Sequence, residues 1–259
     1  MTEQIEIPHS LPRGGDVRGK RVVLTGASRG LGRLLAHAFS QAGALVTLVA
    51  RTEVDLKEVA EELPGPSLVC SGDVTDEAFN EAVAGAAVAE WGGVDVWICN
   101  AGISPVVAGP LETDPSVWRQ VLEVNLTGAF VGARAAARVM GDGGRIIFTG
   151  SVLGERPGRG LTAYSASKAG LVGLAKGLAL DLAPAGITVN VVAPGWFDSP
   201  LAERWKKNPK LAAAILGHTA QERWGHARDL AGAYQFLASN ASAFITGTVL
   251  TVDGGYLLV

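Results

Sequence analysis

Short runs rich in Val, Ile and Leu recur along this chain, and between them apolar residues return every three or four positions. The continuous runs span 22–25, 44–49, 67–71, 94–99, 145–149, 187–193 and 248–252. Unbroken apolar runs of this length read as strands covered on both faces. Helical spacing fills 31–41, 53–63, 76–91, 115–140, 163–182 and 228–239. Strict strand–helix alternation predicts an α/β fold, a doubly wound parallel sheet with right-handed crossovers and helices on both faces.

Residues 1–19 read as an extension outside the sheet, with Gly14 and Gly15 marking a loop before the first strand. Residues 20–259 read as one unit. Residues 196–222 interrupt the alternation and carry Trp196, Phe197 and Trp205. They read either as a lid over a ligand or as an ordinary packed helical insertion. The chain has 259 residues, 48% hydrophobic and only 18% charged, with 34 glycines. That is a globular composition, and few surface charges with many small residues suggest buried subunit interfaces. A net charge of −3 with no basic run argues against nucleic acid or an anionic membrane as partner. The two cysteines, Cys70 and Cys99, sit in strand-like runs and read as reduced thiols. The four histidines lack metal-ligand spacing, so no metal site is expected. Without a signal-peptide pattern or a span of about 20 apolar residues, the cytoplasm is the expected location.

The first strand runs into Thr25-Gly26-Ala27-Ser28-Arg29-Gly30-Leu31-Gly32, and a helix follows at once. Gly26 allows the tight turn, and Gly30 and Gly32 permit a pyrophosphate to approach the backbone. The helix start at Leu31 offers free N–H groups and a positive dipole end. This is a dinucleotide-binding signature of the Rossmann type because of its place between strand and helix. After the second strand comes Arg51 and not an acid. An acid there would hold a ribose hydroxyl, whereas Ser28, Arg29 and Arg51 suit a 2′-phosphate. NADP(H) is therefore expected over NAD(H), unless Glu53 and Asp55 neutralise Arg51. Asp73-Val74 after strand three suits the adenine, Asn100-Ala101-Gly102 after strand four its ribose, and Pro194-Gly195 after strand six the nicotinamide. All fall at the carboxyl edge, where such sheets bind ligands.

A second constellation carries the chemistry. Tyr164 and Lys168 are four apart on one helical face. A phenol titrates near pH 10 unaided, and a neighbouring ammonium favours the phenolate, making Tyr164 a candidate general acid/base. Ser151 ends strand five and can donate to a substrate oxygen as charge develops. Asn125, followed closely by Gly128, weakens its helix, and a kink there could hold a water leading to Lys168.

In order and spacing, the glycine loop, Asn100–Gly102, Asn125, Ser151, Tyr164, Lys168 and Pro194-Gly195 resemble the short-chain dehydrogenase/reductase family. The similarity runs from Lys20 to the C-terminus. It is strongest to 3-oxoacyl reductases and gluconate 5-dehydrogenase-like members. The resemblance implies a single Rossmann domain with a seven-stranded sheet, a nicotinamide cofactor and usually a homotetramer. It implies that Tyr164 moves the proton, Lys168 holds the nicotinamide ribose, and Ser151 orients a small-molecule carbonyl or alcohol. It also implies interfaces built from the small-residue helix 163–182, the stretch 115–140 and the apolar C-terminus 256–259. The chain departs from the family after Pro194-Gly195, where it has Phe197 and Ser199. Ser199 can still bond a carboxamide, and the bulk of Phe197 puts the local geometry in doubt. Arg156, Arg159, Trp205, Lys206, Lys207 and His218 fall in the segments that should set specificity. They suggest an anionic or polyol substrate unless they are simply solvated. A cofactor-binding regulator without turnover is the competing class, and an intact Asn125–Ser151–Tyr164–Lys168 set argues against it.

Overall fold

In the structure, a computed structural model, residues 15–198 and 202–259 are described. Seven parallel strands form one sheet: β1 (Arg21–Thr25), β2 (Leu45–Ala50), β3 (Ser67–Ser71), β4 (Val96–Cys99), β5 (Arg145–Thr149), β6 (Thr188–Pro194) and β7 (Val249–Val252). Their order is β3-β2-β1-β4-β5-β6-β7. Strands β4, β5 and β6 are buried at every position, whereas the edge strands β3 and β7 are half-buried. Burial on both faces is why the central strands read as unbroken apolar runs. The order reverses between β1 and β4, which opens a crevice at the carboxyl ends of those two strands.

Helices α1 (Gly30–Gln41), α2 (Glu53–Glu62) and α9 (Ala227–Ala238) cover one face, with Leu34, Phe39, Leu56, Tyr234 and Leu237 in its core. Helices α3 (Glu77–Trp91), α4 (Pro115–Leu122), α5 (Gly128–Val139) and α6 (Thr162–Leu182) cover the other, around Trp97, Phe148, Leu171 and Val191. Helix boundaries follow local chemistry. Asp76 stands outside α3 as its cap, its carboxylate accepting from the Phe79 amide. Asp114 caps α4, and Pro115 occupies the first helical turn.

The stretch 115–140 does not form the single helix its spacing predicts. A π-helical turn (Glu123–Thr127) separates α4 from α5. Asn125 sits at its centre with its side chain drawn toward the β4 loop, so the expected kink takes the form of a π-bulge. Gly128 follows, where an added Cβ would stand 3.2 Å from Val74.

Of the N-terminal extension only residues 15–19 are described, and there Val17 is buried in the first core. The insertion 196–222 carries two helices, α7 (Glu203–Lys206) and α8 (Pro209–Gly217). Ser199 lies outside the described residues. Both cysteines are free, Cys99 buried and Cys70 half-buried. Among the described residues no helix is long and apolar enough to cross a membrane, and no cluster of His, Cys, Asp and Glu could hold a metal ion.

Candidate functional site

The turn leaving β1 is shaped by glycine. Gly26 and Gly30 have φ of +68° and +56°, in the left-handed region. A Cβ on Gly32 would stand 1.9 Å from the Gly26 carbonyl oxygen, and one on Gly26 would stand 2.9 Å from Ala101 Cα. Side chains are thus excluded at positions 26 and 32. Arg29 takes an extended backbone at the start of α1 and gives no side-chain cap, and the first turn holds no acid. The leading amides of α1 therefore have no side-chain cap from Arg29, which suits an anion. Leu31 packs its side chain on the core beneath. Gly26 and Gly32 keep Cβ atoms off this turn, as the approach of a dinucleotide requires, and the Asn100 side-chain amide stands beside them.

Two arginines stand at this edge, Arg29 in the loop and Arg51 after β2. Arg29 and Arg51 are both exposed, and neither makes a direct ion pair among the described residues. Glu53, the acid nearest Arg51 in sequence, pairs instead with Lys57 at 2.8 Å. Asp73 accepts from the Thr75 amide and hydroxyl at 2.9 Å each. Those bonds, with the Arg51 charge, hold its carboxyl below the usual carboxylate range. Val74 beside it is buried.

A chain of polar groups ties the crevice to the centre of the sheet. Thr25 Oγ1 accepts from the Asn100 and Ala101 amides at 3.0 and 3.1 Å. Asn100 donates back to the Thr25 carbonyl at 3.0 Å and accepts from the Thr149 hydroxyl at 3.2 Å. Thr149 in turn meets the buried Tyr234 hydroxyl at 2.7 Å. Asn100 thus acts as a strut between β1 and β5. Thr149 and Tyr234 were not legible as site residues, and Thr25 was legible only as the head of the glycine motif. Thr25 stands directly before Gly26 and Thr149 two positions before Ser151, but Tyr234 carries no sequence signal.

The candidate catalytic residues converge next to this strut. Asn125 accepts from the Ile103 amide at 2.7 Å and donates to the Ile103 carbonyl and the Ser167 hydroxyl at 3.0 Å each. Lys168 is buried and donates to the Thr149 carbonyl at 2.7 Å, with Nζ 5.6 Å from the Tyr164 ring centre. Burial lowers its pKa to about 8. A Cβ on Gly102 would stand 3.4 Å from Asn125 Oδ1 and 3.5 Å from Lys168 Nζ, so the β4 loop passes directly over both. Ser151 opens a 3-10 turn (Val152–Gly154), its hydroxyl accepting from the Leu153 amide at 3.1 Å. A Cβ on Gly154 would stand 2.9 Å from the α6 backbone at Ala169, which seats this turn against Lys168. Tyr164 lines a pit with Ser104, Thr113, Val117 and Leu161.

Pro194 ends β6, and Gly195 donates to the Val252 carbonyl at 2.8 Å. Phe197 is buried in the first core, its ring under Gly225. Its bulk therefore points inward. Of the cations read as candidates for specificity, Arg159, Lys207 and His218 are exposed, and Arg156 and Lys206 are engaged within the chain. Arg156 holds the C-terminal tail, Lys206 pairs with Asp198 at 2.5 Å, and His218 Nδ1 meets the Ala214 carbonyl at 2.8 Å.

The chain is similar to known proteins over most of its length. The family model described as enoyl-(acyl carrier protein) reductase matches residues 26–257. The 3-oxoacyl-(acyl-carrier-protein) reductase of Escherichia coli is 38% identical over 243 residues, 93% of this chain and 98% of that protein. The cis-4-hydroxycyclohexanecarboxylate dehydrogenase of Sinomonas cyclohexanicum is 36% identical over 250 residues, covering 95% of this chain and all of the other. A crystal structure of a short-chain type dehydrogenase/reductase from Mycobacterium marinum superposes with a TM-score of 0.86 at 35% identity. It covers 93% of this chain and 96% of its own.

Proposed function

The chain belongs to the short-chain dehydrogenase/reductase family of oxidoreductases acting on alcohol and keto substrates, and from that premise we propose that it works with NADP(H) on a small-molecule carbonyl or secondary alcohol, with Tyr164 as general acid and base. The observation that carries this reading is the convergence at Gly102, where the glycine-rich turn and the β4 loop meet a buried lysine beside a tyrosine.

The residues divide the work. Gly26, Gly30, Leu31 and Gly32 would take the pyrophosphate, and Ser28, Arg29 and Arg51 the 2′-phosphate. Asp73 and Val74 would meet the adenine, and Asn100, Ala101 and Gly102 its ribose. Tyr164 and Lys168 would hold the nicotinamide ribose. Pro194, Gly195, the Phe197 backbone and Ser199 would hold the carboxamide. When bound, the cofactor supplies a hydride to a carbonyl carbon or takes one from a secondary alcohol. In reduction Tyr164 gives its hydroxyl proton to the carbonyl oxygen; in oxidation the phenolate takes the proton from the alcohol. Ser151 donates to that oxygen as negative charge grows on it. Lys168 favours the phenolate by its charge, and Asn125 keeps the β4 loop against Lys168. Residues 196–222 form the substrate loop on a unit spanning 20–259.

Unpartnered apolar surface supports a homotetramer. Nothing lies within 4 Å of a Cβ added to Gly173 or Gly177 on α6. A groove of about 380 Å³ beside that helix runs from Ser151 and Lys168 past Ala169, Val172 and Lys176 to Leu257. Phe130 and Leu180 are exposed on α5 and α6.

Initial rates with NADPH and NADH, over a panel of ketones, test the proposal. NADPH turnover is expected to exceed NADH turnover. Arg51→Ala should erase about ten- to hundred-fold of that preference, the worth of a charge-assisted hydrogen bond. An unchanged preference in the variant would remove Arg51 from the phosphate site.

A further inference from the structure

The turn that carries Ser151 is tied to residues 256–259, about a hundred positions away in the chain. Ser151 Oγ accepts from the Leu153 amide, which fixes the hydroxyl relative to the 3-10 turn that follows it. Arg156 closes that turn, its amide donating to the Val152 carbonyl at 2.8 Å. The side chain of the same residue reaches the tail. Its guanidinium donates to the carbonyls of Tyr256, at 3.0 Å, and Val259. It also lies over the Tyr256 ring, 5.3 Å from its centre. Tyr256 belongs to a short 3-10 turn (Tyr256–Leu258). The Asp253 carboxylate steadies this second turn by accepting from the Gly255 and Leu257 amides at 2.9 Å each.

Packing joins the two turns. Val152, Leu153 and Leu161 form a small buried core of their own, and Tyr164, Tyr256 and Leu257 pack against it. Leu257 and Ser151 also line one and the same groove. The Ser151 turn rests on α6 at Gly154, where an added Cβ would stand 2.9 Å from the Ala169 nitrogen. Arg156 is bonded to both parts, by its backbone to the Ser151 turn and by its side chain to the tail. Hydrogen bonds from a charged donor are roughly twice as strong as neutral ones, so this is a firm link for one half-buried side chain.

We propose that Arg156 is a positioning residue for Ser151: it locks residues 256–259 against the Val152–Gly154 turn and so holds the Ser151 hydroxyl where it meets the substrate oxygen. The inference rests on the oxidoreductase reading above and adds a residue to its machinery. A donor that stabilises developing charge is effective only if its place is fixed before the reaction. The Ser151 side chain is short, so its placement follows the backbone of the turn. A displacement of about 1 Å at such a group can cost about a hundred-fold in rate. Arg156 acts through the turn, since its guanidinium is directed at the tail carbonyls and the Tyr256 ring.

The test is a double-mutant cycle in the full chain, reading kcat, KM and NADPH affinity for a ketone that the native protein reduces. Arg156→Met keeps the apolar stem and removes the donors. It should lower kcat by about ten-fold while KM and NADPH affinity stay within about two-fold, because the Ser151 hydrogen bond strengthens in the transition state. Arg156→Lys should recover part of that kcat, since an ammonium can still donate to a tail carbonyl. Ser151→Ala removes the group that Arg156 holds in place. In that background Arg156→Met should lower kcat by less than about two-fold, because residues that act through one another are not additive. Leu257→Ala loosens the same contact from the tail side and should show the same pattern; it carries the cycle if Arg156→Met does not fold. A ten-fold loss in both backgrounds would overturn the proposal, as would native kcat in Arg156→Met or a loss confined to NADPH affinity. If the native protein turned over no ketone with NADPH or NADH, the oxidoreductase reading itself would fall. Additive losses in an active enzyme would remove the role of Arg156 alone.

Discussion

Lys168 is the most constrained residue of the site. Its ammonium is buried, its Thr149 contact is to a neutral carbonyl, and burial lowers its pKa from 10.5 to about 8. The unfolded chain therefore binds a proton that the folded chain has lost between about pH 8 and 10.5. Stability from this group accordingly rises with pH across that window, and below it the buried charge costs about 3 kcal/mol. Against Lys168→Met, which has nothing to titrate, the native protein should gain stability as pH rises from about 8 to about 10. Urea unfolding of both proteins at stepped pH checks this. A difference that stayed flat would mean that Lys168 is solvated. The same position shows what sequence can carry: the Tyr164–Lys168 spacing places both on one face. The depth of the lysine was not legible, because it depends on Thr149 and on the β4 loop over Gly102.

Among the elements, the glycine loop was the most legible and the stretch 115–140 the least. A loop that needs left-handed backbone at Gly26 and Gly30 announces itself through glycine, since other residues are strained there. The π-helical turn at Asn125 has no comparable local sign. Its cause is a pair of bonds to Ile103, 22 positions away, and no periodicity within a helix reports such a partner. Strand limits shift by a residue or two for similar reasons. Pro194 belongs to β6 through pairing with β7, not through hydrophobicity. Glycine identity also makes a sharp test at this scale. Gly32→Ala places a Cβ against the Gly26 carbonyl and should lower stability by about 1–3 kcal/mol while abolishing NADPH binding. Gly85→Ala, in α3 with open space around it, should stabilise by about 0.5–1 kcal/mol and leave binding alone. Urea unfolding with fluorescence titration of NADPH reads both effects. Tight NADPH binding by Gly32→Ala would mean that the pyrophosphate does not enter there.

Across the whole molecule, function depends on segments far apart in sequence meeting at one sheet edge. The doubly wound α/β order was legible from strand–helix alternation, because sheets of this kind put every strand's carboxyl end on the same side. The link between the Ser151 turn and the tail was not. Four apolar residues at the C-terminus predict burial, but nothing in them points to Arg156, 100 positions away from Tyr256. The central claim is that the crevice binds the dinucleotide while Tyr164, on a separate helix, moves the proton. Turnover and NADPH affinity measured together in Tyr164→Phe test it most directly. NADPH affinity should stay within a few-fold of native while kcat falls by about a thousand-fold, the range expected for loss of a general acid. Turnover within about ten-fold of native would contradict the account, since another group would then be carrying the proton.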